Sequence, residues 1–210
     1  MKKYKIYLFD FDGTLLNTFP ALDYVFRYSF EQIGVPYDSN DLLEFSRQPL
    51  DRSYDKLQAP MEKWDEFIKN IDASLDHEAA LKSNELYPET KEFIDYINKE
   101  KIYAGIVTSN NKKHVKEVFK EFDIPVHTFA LYIGNKECHH FKPHPDPIIK
   151  ALEHINYQGD LKDVVYIGDG LNDTISANAA GVQAILIDRD NIFPDKEEYI
   201  RIHSLMDLFK

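Results

Sequence analysis

Five short apolar runs, at 5–9, 102–107, 129–133, 163–167 and 182–187, constrain this chain more than any other feature. Each is rich in β-branched or aromatic residues and nearly continuous in its apolar character. They are too short for helices, and they predict strands buried on both faces, as in a parallel sheet. Helical spacings separate most of them, at 89–100, 112–122, 146–155 and 172–180. Strands alternating with helices predict an α/β fold with right-handed crossovers and a doubly wound sheet.

One segment breaks this rhythm. Residues 18–84 carry no strand signal, and Leu22, Val25, Phe26, Ser29, Phe30 and Ile33 recur at helical spacing until Gly34 stops them. Further helices are predicted at 39–47, near 50–57 and over 61–81, with Ser39 to cap the first of these and Pro60 to mark entry to the last. The expectation is a core domain formed by 1–17 and 85–210, interrupted by a helical domain at 18–84. Tyr24, Phe26, Tyr28 and Phe30 read as packing inside that insertion rather than as a base-stacking platform.

With 25 basic and 36 acidic residues the formal charge is −11, which argues against nucleic acid or an anionic membrane as a partner. A small phosphorylated metabolite remains compatible, provided positive charge or a metal is concentrated locally. The single cysteine, Cys138, excludes an internal disulfide framework and suits a reducing compartment. The apolar stretch after Met1-Lys2-Lys3 stops at Asp10, short of the ~7–15 residues of a signal-peptide core. The chain is therefore expected to be soluble and cytoplasmic.

Ligands of open α/β sheets bind just beyond the carboxyl ends of the strands. Asp10, Asp12, Gly13 and Thr14 follow the first run, Thr108, Ser109 and Asn110 the second, and Gly168, Asp169, Gly170, Asn172 and Asp173 the run at 163–167; Lys142 precedes the helical spacing at 146–155. Each has a bland alternative. Asp10 and Asp12 suit a turn, Thr108 a helix cap, and Lys142 a solvated surface. Their convergence on one rim favours chemistry: crowded carboxylates call for a cation, and oxygen ligands suit magnesium. A hydroxyl and a lysine beside them can hold a phosphoryl group, where positioning and electrostatics do most of the work.

These motifs resemble the haloacid dehalogenase-like hydrolase superfamily, in its phosphatase branch with a helical cap after the first strand, similar to phosphoglycolate phosphatases. Asp10-Phe11-Asp12-Gly13-Thr14-Leu15, Val107-Thr108-Ser109-Asn110, Lys142-Pro143 and Gly168-Asp169-Gly170-Leu171-Asn172-Asp173 stand in the family's order. The resemblance implies a Rossmann-like core with an α-helical cap, and a magnesium-dependent phosphatase. Asp10 would be the nucleophile that carries the phosphoryl group and a metal ligand. Asp12 would be the general acid and base, its carbonyl also on the metal. Thr108, with Ser109 and Asn110 beside it, and Lys142 would bind phosphate, while Asp169 and Asp173 would complete the metal site. Arg47 falls where related caps select substrate.

Asp12 separates this reading from dehalogenation, because a halide leaves without a proton whereas an alkoxide needs one. A phosphomutase or pyrophosphatase could use the same nucleophile. A phospho-acceptor signalling domain shares an acidic pocket and a lysine, but lacks Asp-x-Asp-Gly-Thr and a large insertion. Gly168-Asp169-Gly170 matches a dinucleotide fingerprint only in part, since Asp173 replaces its third small residue. Cys138, His139, His140 and His144 suggest a loop rather than a zinc site, because Pro143 and Pro145 disfavour a helix there.

Overall fold

The computed structural model describes residues 2–46, 50–75, 77–194 and 200–210. In chain order, β1 is Ile6–Phe9 and β2 Leu16–Asn17; α1 is Phe19–Gln32, α2 Leu42–Phe45, α3 Leu50–Lys56, α4 Trp64–Leu75 and α5 Glu78–Lys82. Then come β3 Glu85–Leu86, α6 Thr90–Lys99, β4 Ala104–Val107, α7 Lys112–Glu121, β5 Leu131–Ile133 and α8 Asp146–His154. The chain ends with β6 Val164–Gly168, α9 Leu171–Ala179, β7 Gln183–Ile187 and β8 Ile200–Ile202. It forms two compact units, Met1–Leu16 with Leu86–Lys210, and Asn17–Glu85.

The first unit carries a six-stranded sheet in the order β5-β4-β1-β6-β7-β8. Every pairing is parallel. The strand side chains alternate between two cores. Tyr7, Phe9, Ile106, Val165, Ile167, Ile185 and Ile187 pack with Phe93, Ile97, Val115 and Phe119 of α6 and α7. Ile6, Leu8, Val164, Tyr166 and Ala184 pack with Ile148, Ala151 and Ala177 of α8 and α9. Both faces are therefore dry, which is why the strands read as unbroken apolar runs. Complete burial of a side chain such as Leu8 or Phe9 contributes roughly 1.5–3 kcal/mol.

Strand order reverses at β1, which lies between β4 and β6 while its sequence continues outward to both edges. Such a switch point opens a crevice at the carboxyl ends of the central strands. Asp10, Thr108 and Asp169 directly follow those three strands.

The second unit is helical, and its core is aromatic. Phe26, Phe30, Phe45, Tyr54 and Phe67 are buried together, with Tyr37, Trp64 and Ile71 packed against them. Phe30 and Phe67 have ring centroids 4.5 Å apart, and Trp64 meets Tyr54 edge-on at 4.9 Å. Tyr54 is fully buried and its hydroxyl donates to Pro60 O at 2.6 Å, so the large ring brings no unsatisfied polar atom inside.

Three expectations need correction. The helix predicted over 61–81 is divided: residues 61–63 form a 3-10 turn, α4 stops at Leu75 and α5 starts at Glu78. The Ser74 hydroxyl donates to Ile71 O, His77 N–H donates to Ser74 O, and His77 is extended, which closes the first helix before the second begins. The helix expected at 39–47 is a 3-10 turn at Ser39–Asp41 followed by only one turn, α2. Its end, including Arg47, lies outside the described residues. A sixth strand, β8, adds to the sheet edge where no strand was expected.

Candidate active site

Asp10 follows the last residue of β1, and its N–H donates to Ile167 O of β6 at 2.8 Å, which holds it at the switch point. Two residues later the chain reverses: Gly13 N–H donates to Leu16 O, and Leu16 N–H donates to Phe11 O. Gly13 has φ +72°, and a Cβ there would run into the Asp169 carboxylate, so only glycine lets the two acidic loops approach so closely. Thr14 Oγ1 donates to Asp169 Oδ1 at 3.5 Å across the same contact.

Lys142 stands at the centre. Its Nζ donates to Asp10 Oδ1 at 2.8 Å, to Asp173 Oδ1 at 2.7 Å and to the Tyr166 hydroxyl at 3.1 Å, which engages all three ammonium protons. The side chains of Lys142, Asp10 and Asp173 are only 7%, 11% and 6% exposed. Asp173 also accepts from Gly170 N–H at 3.0 Å, so one carboxylate closes the first turn of α9 and faces the lysine.

Asp10, Asp169 and Asp173 each offer an oxygen within 4.8 Å of the others; among the described residues they are the one such set of three or more metal-ligating groups. Their electrostatics fit a hard divalent cation. Burial, then the neighbouring Asp173 and Asp12, raises the Asp169 carboxyl to about 7 against the pull of Lys142. Burial likewise raises Asp10 well above the ordinary carboxylate range, opposed by Lys142 and reinforced by the other aspartates. Burial pulls Lys142 down, but Asp10, Tyr166 and Asp173 outweigh it and keep the ammonium charged. One lysine thus faces three carboxylates, a deficit that protons or a metal can fill.

A measurable consequence follows for metal-free protein. The folded pKa of Asp169 is raised, so between about 4 and 7 the folded state holds a proton that the unfolded chain has released. Stability should fall as pH rises through that window, by on the order of 4 kcal/mol in full and about 2 kcal/mol between pH 5.5 and 7.5, and magnesium should restore it at pH 7.5. Thermal melts with chelator or magnesium at pH 5.5 and 7.5 check both signs; equal melting points in all four conditions would contradict them.

The Asp12 carboxyl neighbours this triad without belonging to it. It accepts from Asn110 Nδ2 at 3.4 Å, and burial raises its pKa against the pull of that hydrogen bond, His114 and Lys142. Thr108 is buried, and its hydroxyl accepts from Asn110 N–H at 3.0 Å, which leaves its own proton to donate. It does not cap α7; Asn111 does, through Oδ1 and Lys113 N–H. Ser109 is exposed. Among the described residues, Cys138 and the nearby histidines belong to no set of three metal-ligating side chains; His139 and His140 N–H donate to Asp146 Oδ2.

Two participants were not expected from the sequence. The Tyr166 hydroxyl donates to Val107 O at 2.8 Å while accepting from Lys142, and a lone hydroxyl inside an apolar run was its only signal. Arg189 follows β7 on the same rim as the other site residues. Its Nη1 donates to Gly13 O at 3.0 Å and Nη2 to Thr14 O at 2.9 Å, Nε and Nη2 pair with Glu89 Oε1, and the guanidinium lies 3.5 Å from the Tyr87 ring centroid.

A family model described as haloacid dehalogenase-like hydrolase matches residues 7–187, nearly the whole of this arrangement. The chain belongs to the haloacid dehalogenase-like hydrolase family. Relatives within reach of it are a phosphoglycolate phosphatase of Pasteurella multocida, 27% identical over 88% of this chain and 86% of that protein, and a pyrophosphatase PpaX of Bacillus mycoides, 26% identical over 86% and 81%. A haloacid dehalogenase-like family hydrolase from Streptococcus pneumoniae shares the fold, with TM-score 0.76, 21% identity, and coverage of 99% of this chain and 98% of that one. No helix among the described residues is long and apolar enough to cross a membrane.

Proposed function

We propose that this protein is a magnesium-dependent phosphatase that hydrolyses a small phosphomonoester through an aspartyl-phosphate. The observation that supports the reading is the different setting of two aspartates two residues apart. Asp10 lies in the carboxylate triad against a charged lysine, whereas the Asp12 carboxyl is outside that triad, meets Asn110, and is raised by burial from the ordinary carboxylate range. In the first step an Asp10 oxygen attacks phosphorus, the ester P–O bond breaks, and Asp12 gives its proton to the departing alkoxide. In the second step Asp12 takes a proton from water, the water oxygen attacks phosphorus, and the acyl-phosphate bond breaks to free Asp10 and inorganic phosphate. Lys142 and Thr108, with Asn110 beside them, offer donors to the phosphoryl oxygens. Asp10, Asp169 and Asp173, with the Asp12 carbonyl, would hold the magnesium, which supplies countercharge to both cluster and phosphate.

The helical segment 18–84 serves in this reading as the cap that selects the leaving group. The two relatives divide between a phosphoglycolate phosphatase and a pyrophosphatase, so pyrophosphate is the second substrate class to weigh. Purified protein should release phosphate from p-nitrophenyl phosphate with magnesium and not with chelator. A panel containing 2-phosphoglycolate, pyrophosphate and sugar phosphates should then show a preference in kcat/KM of at least about tenfold. Magnesium-independent release, or none on any substrate, would sink the proposal.

A further inference from the structure

We infer that Arg189 is a positioning residue for the acid step, holding the loop that aims Asp12. This rests on the phosphatase reading above and extends it to a side chain outside the four motifs. Arg189 is far along the chain from the loop, yet it takes hold of two consecutive carbonyls, Gly13 O and Thr14 O, immediately after Asp12. Those carbonyls belong to the turn in which Gly13 sits at φ +72°, and Asp12 forms a backbone bridge with Leu16 on its far side. The Asp12 carboxyl itself is held only loosely, since Asn110 Nδ2 is 3.4 Å away. The backbone turn, more than a side-chain partner, therefore sets where the acid points.

The guanidinium is built in from several sides. Its side chain is 15% exposed, Glu89 accepts from Nε and Nη2 at 3.0 and 2.8 Å, and the Tyr87 ring covers one face. Asp188, the residue before it, is buried and accepts from Ile192 and Phe193 N–H, which fixes the start of the loop that carries Arg189. A planar fork with donors at fixed angles can meet two carbonyls and a carboxylate at once. An ammonium donates from a single atom and cannot span acceptors that three separate nitrogens reach here, so lysine is no substitute. Thr90 adds a parallel tie, its hydroxyl donating to Leu15 O at 3.0 Å, so three consecutive carbonyls after Asp12 are held by Arg189 and Thr90.

The expected signature is selective. A misplaced acid matters for an alkyl phosphate, whose alkoxide needs a proton, and much less for p-nitrophenyl phosphate, whose leaving group does not. Arg189→Lys should lower kcat for glycerol 1-phosphate by about 100-fold with KM changed less than about threefold, and lower kcat for p-nitrophenyl phosphate by less than about tenfold. Glu89→Gln, which keeps the shape of the carboxylate and removes its charge, should shift the ratio the same way by about tenfold. It also provides the reading if the arginine variant fails to fold, as judged by circular dichroism. Equal loss on both substrates, or an unchanged ratio in folded Glu89→Gln, would overturn the inference. Failure of the phosphatase reading is separate: it would show as wild-type protein releasing no phosphate from either ester.

Discussion

Asp10→Asn should abolish phosphate release, by at least about 10⁴-fold in kcat, while leaving a folded protein. The amide keeps the shape of the carboxyl but supplies no anionic oxygen to attack phosphorus. Folding should survive, because Lys142 keeps Asp173 and the Tyr166 hydroxyl as acceptors and β1 keeps its apolar neighbours. The decisive measurement pairs activity with chemistry. Wild-type protein quenched rapidly in acid during turnover should carry a phosphoryl adduct on the peptide containing Asp10, and the variant should carry none. An adduct on another residue, or a variant retaining a tenth of the activity, would falsify the assignment of the nucleophile.

Lys142→Met should produce the largest loss of stability, about 3–5 kcal/mol near pH 8, because it leaves Asp10 and Asp173 buried with no countercharge. The sign of its pH dependence is informative. Asp10 is already raised by burial, and without the lysine it can shed its charge by taking a proton, so the deficit should shrink at pH 5.5. Urea denaturation at the two pH values tests this, and a deficit that grows on acidification would contradict it. The cost should also be non-additive with Asp10→Asn, since the two side chains share a contact of 2.8 Å. Activity should fall by about 10²–10³-fold, as when a preorganised donor is removed from a developing anion.

The parts of this fold that were legible in the sequence are those where one physical pressure dominates. Strands β1, β4, β6 and β7 are buried on both faces, so burial wrote itself into the sequence as unbroken apolar runs. Gly34 stands two residues past the end of α1 with φ +74°, the left-handed geometry that a glycine stop implies. Edge strand β8 was illegible because it is three residues long and its first residue is exposed, so neither length nor alternation marks it. The break between α4 and α5 was hidden by apolar spacing that continues on both sides of a turn made by Ser74 and His77.

The site divides in the same way. Asp10, Asp169 and Asp173 could be grouped because the switch-point rule needs only strand ends and residue types, Lys142 only through its place in the order of the motifs, and the structure brings those four side chains together. Applied to the run at 182–187, the rule would also have pointed to Arg189. Nothing local, however, indicates that its guanidinium reaches the carbonyls of a loop more than a hundred residues earlier. Tyr166 was masked for the opposite reason, since an aromatic residue inside a buried strand ordinarily means packing and its hydroxyl is the only hint of more.

The aromatic core of the helical unit has an optical corollary. Trp64 is the chain's single tryptophan, and it lies against Tyr54 and Phe67 in that unit. Intrinsic tryptophan emission is therefore a local gauge of the segment Asn17–Glu85, silent about the sheet that carries Asp10. Paired with a backbone probe dominated by the larger unit, the protein carries its own label for asking whether its two units melt as one or in sequence.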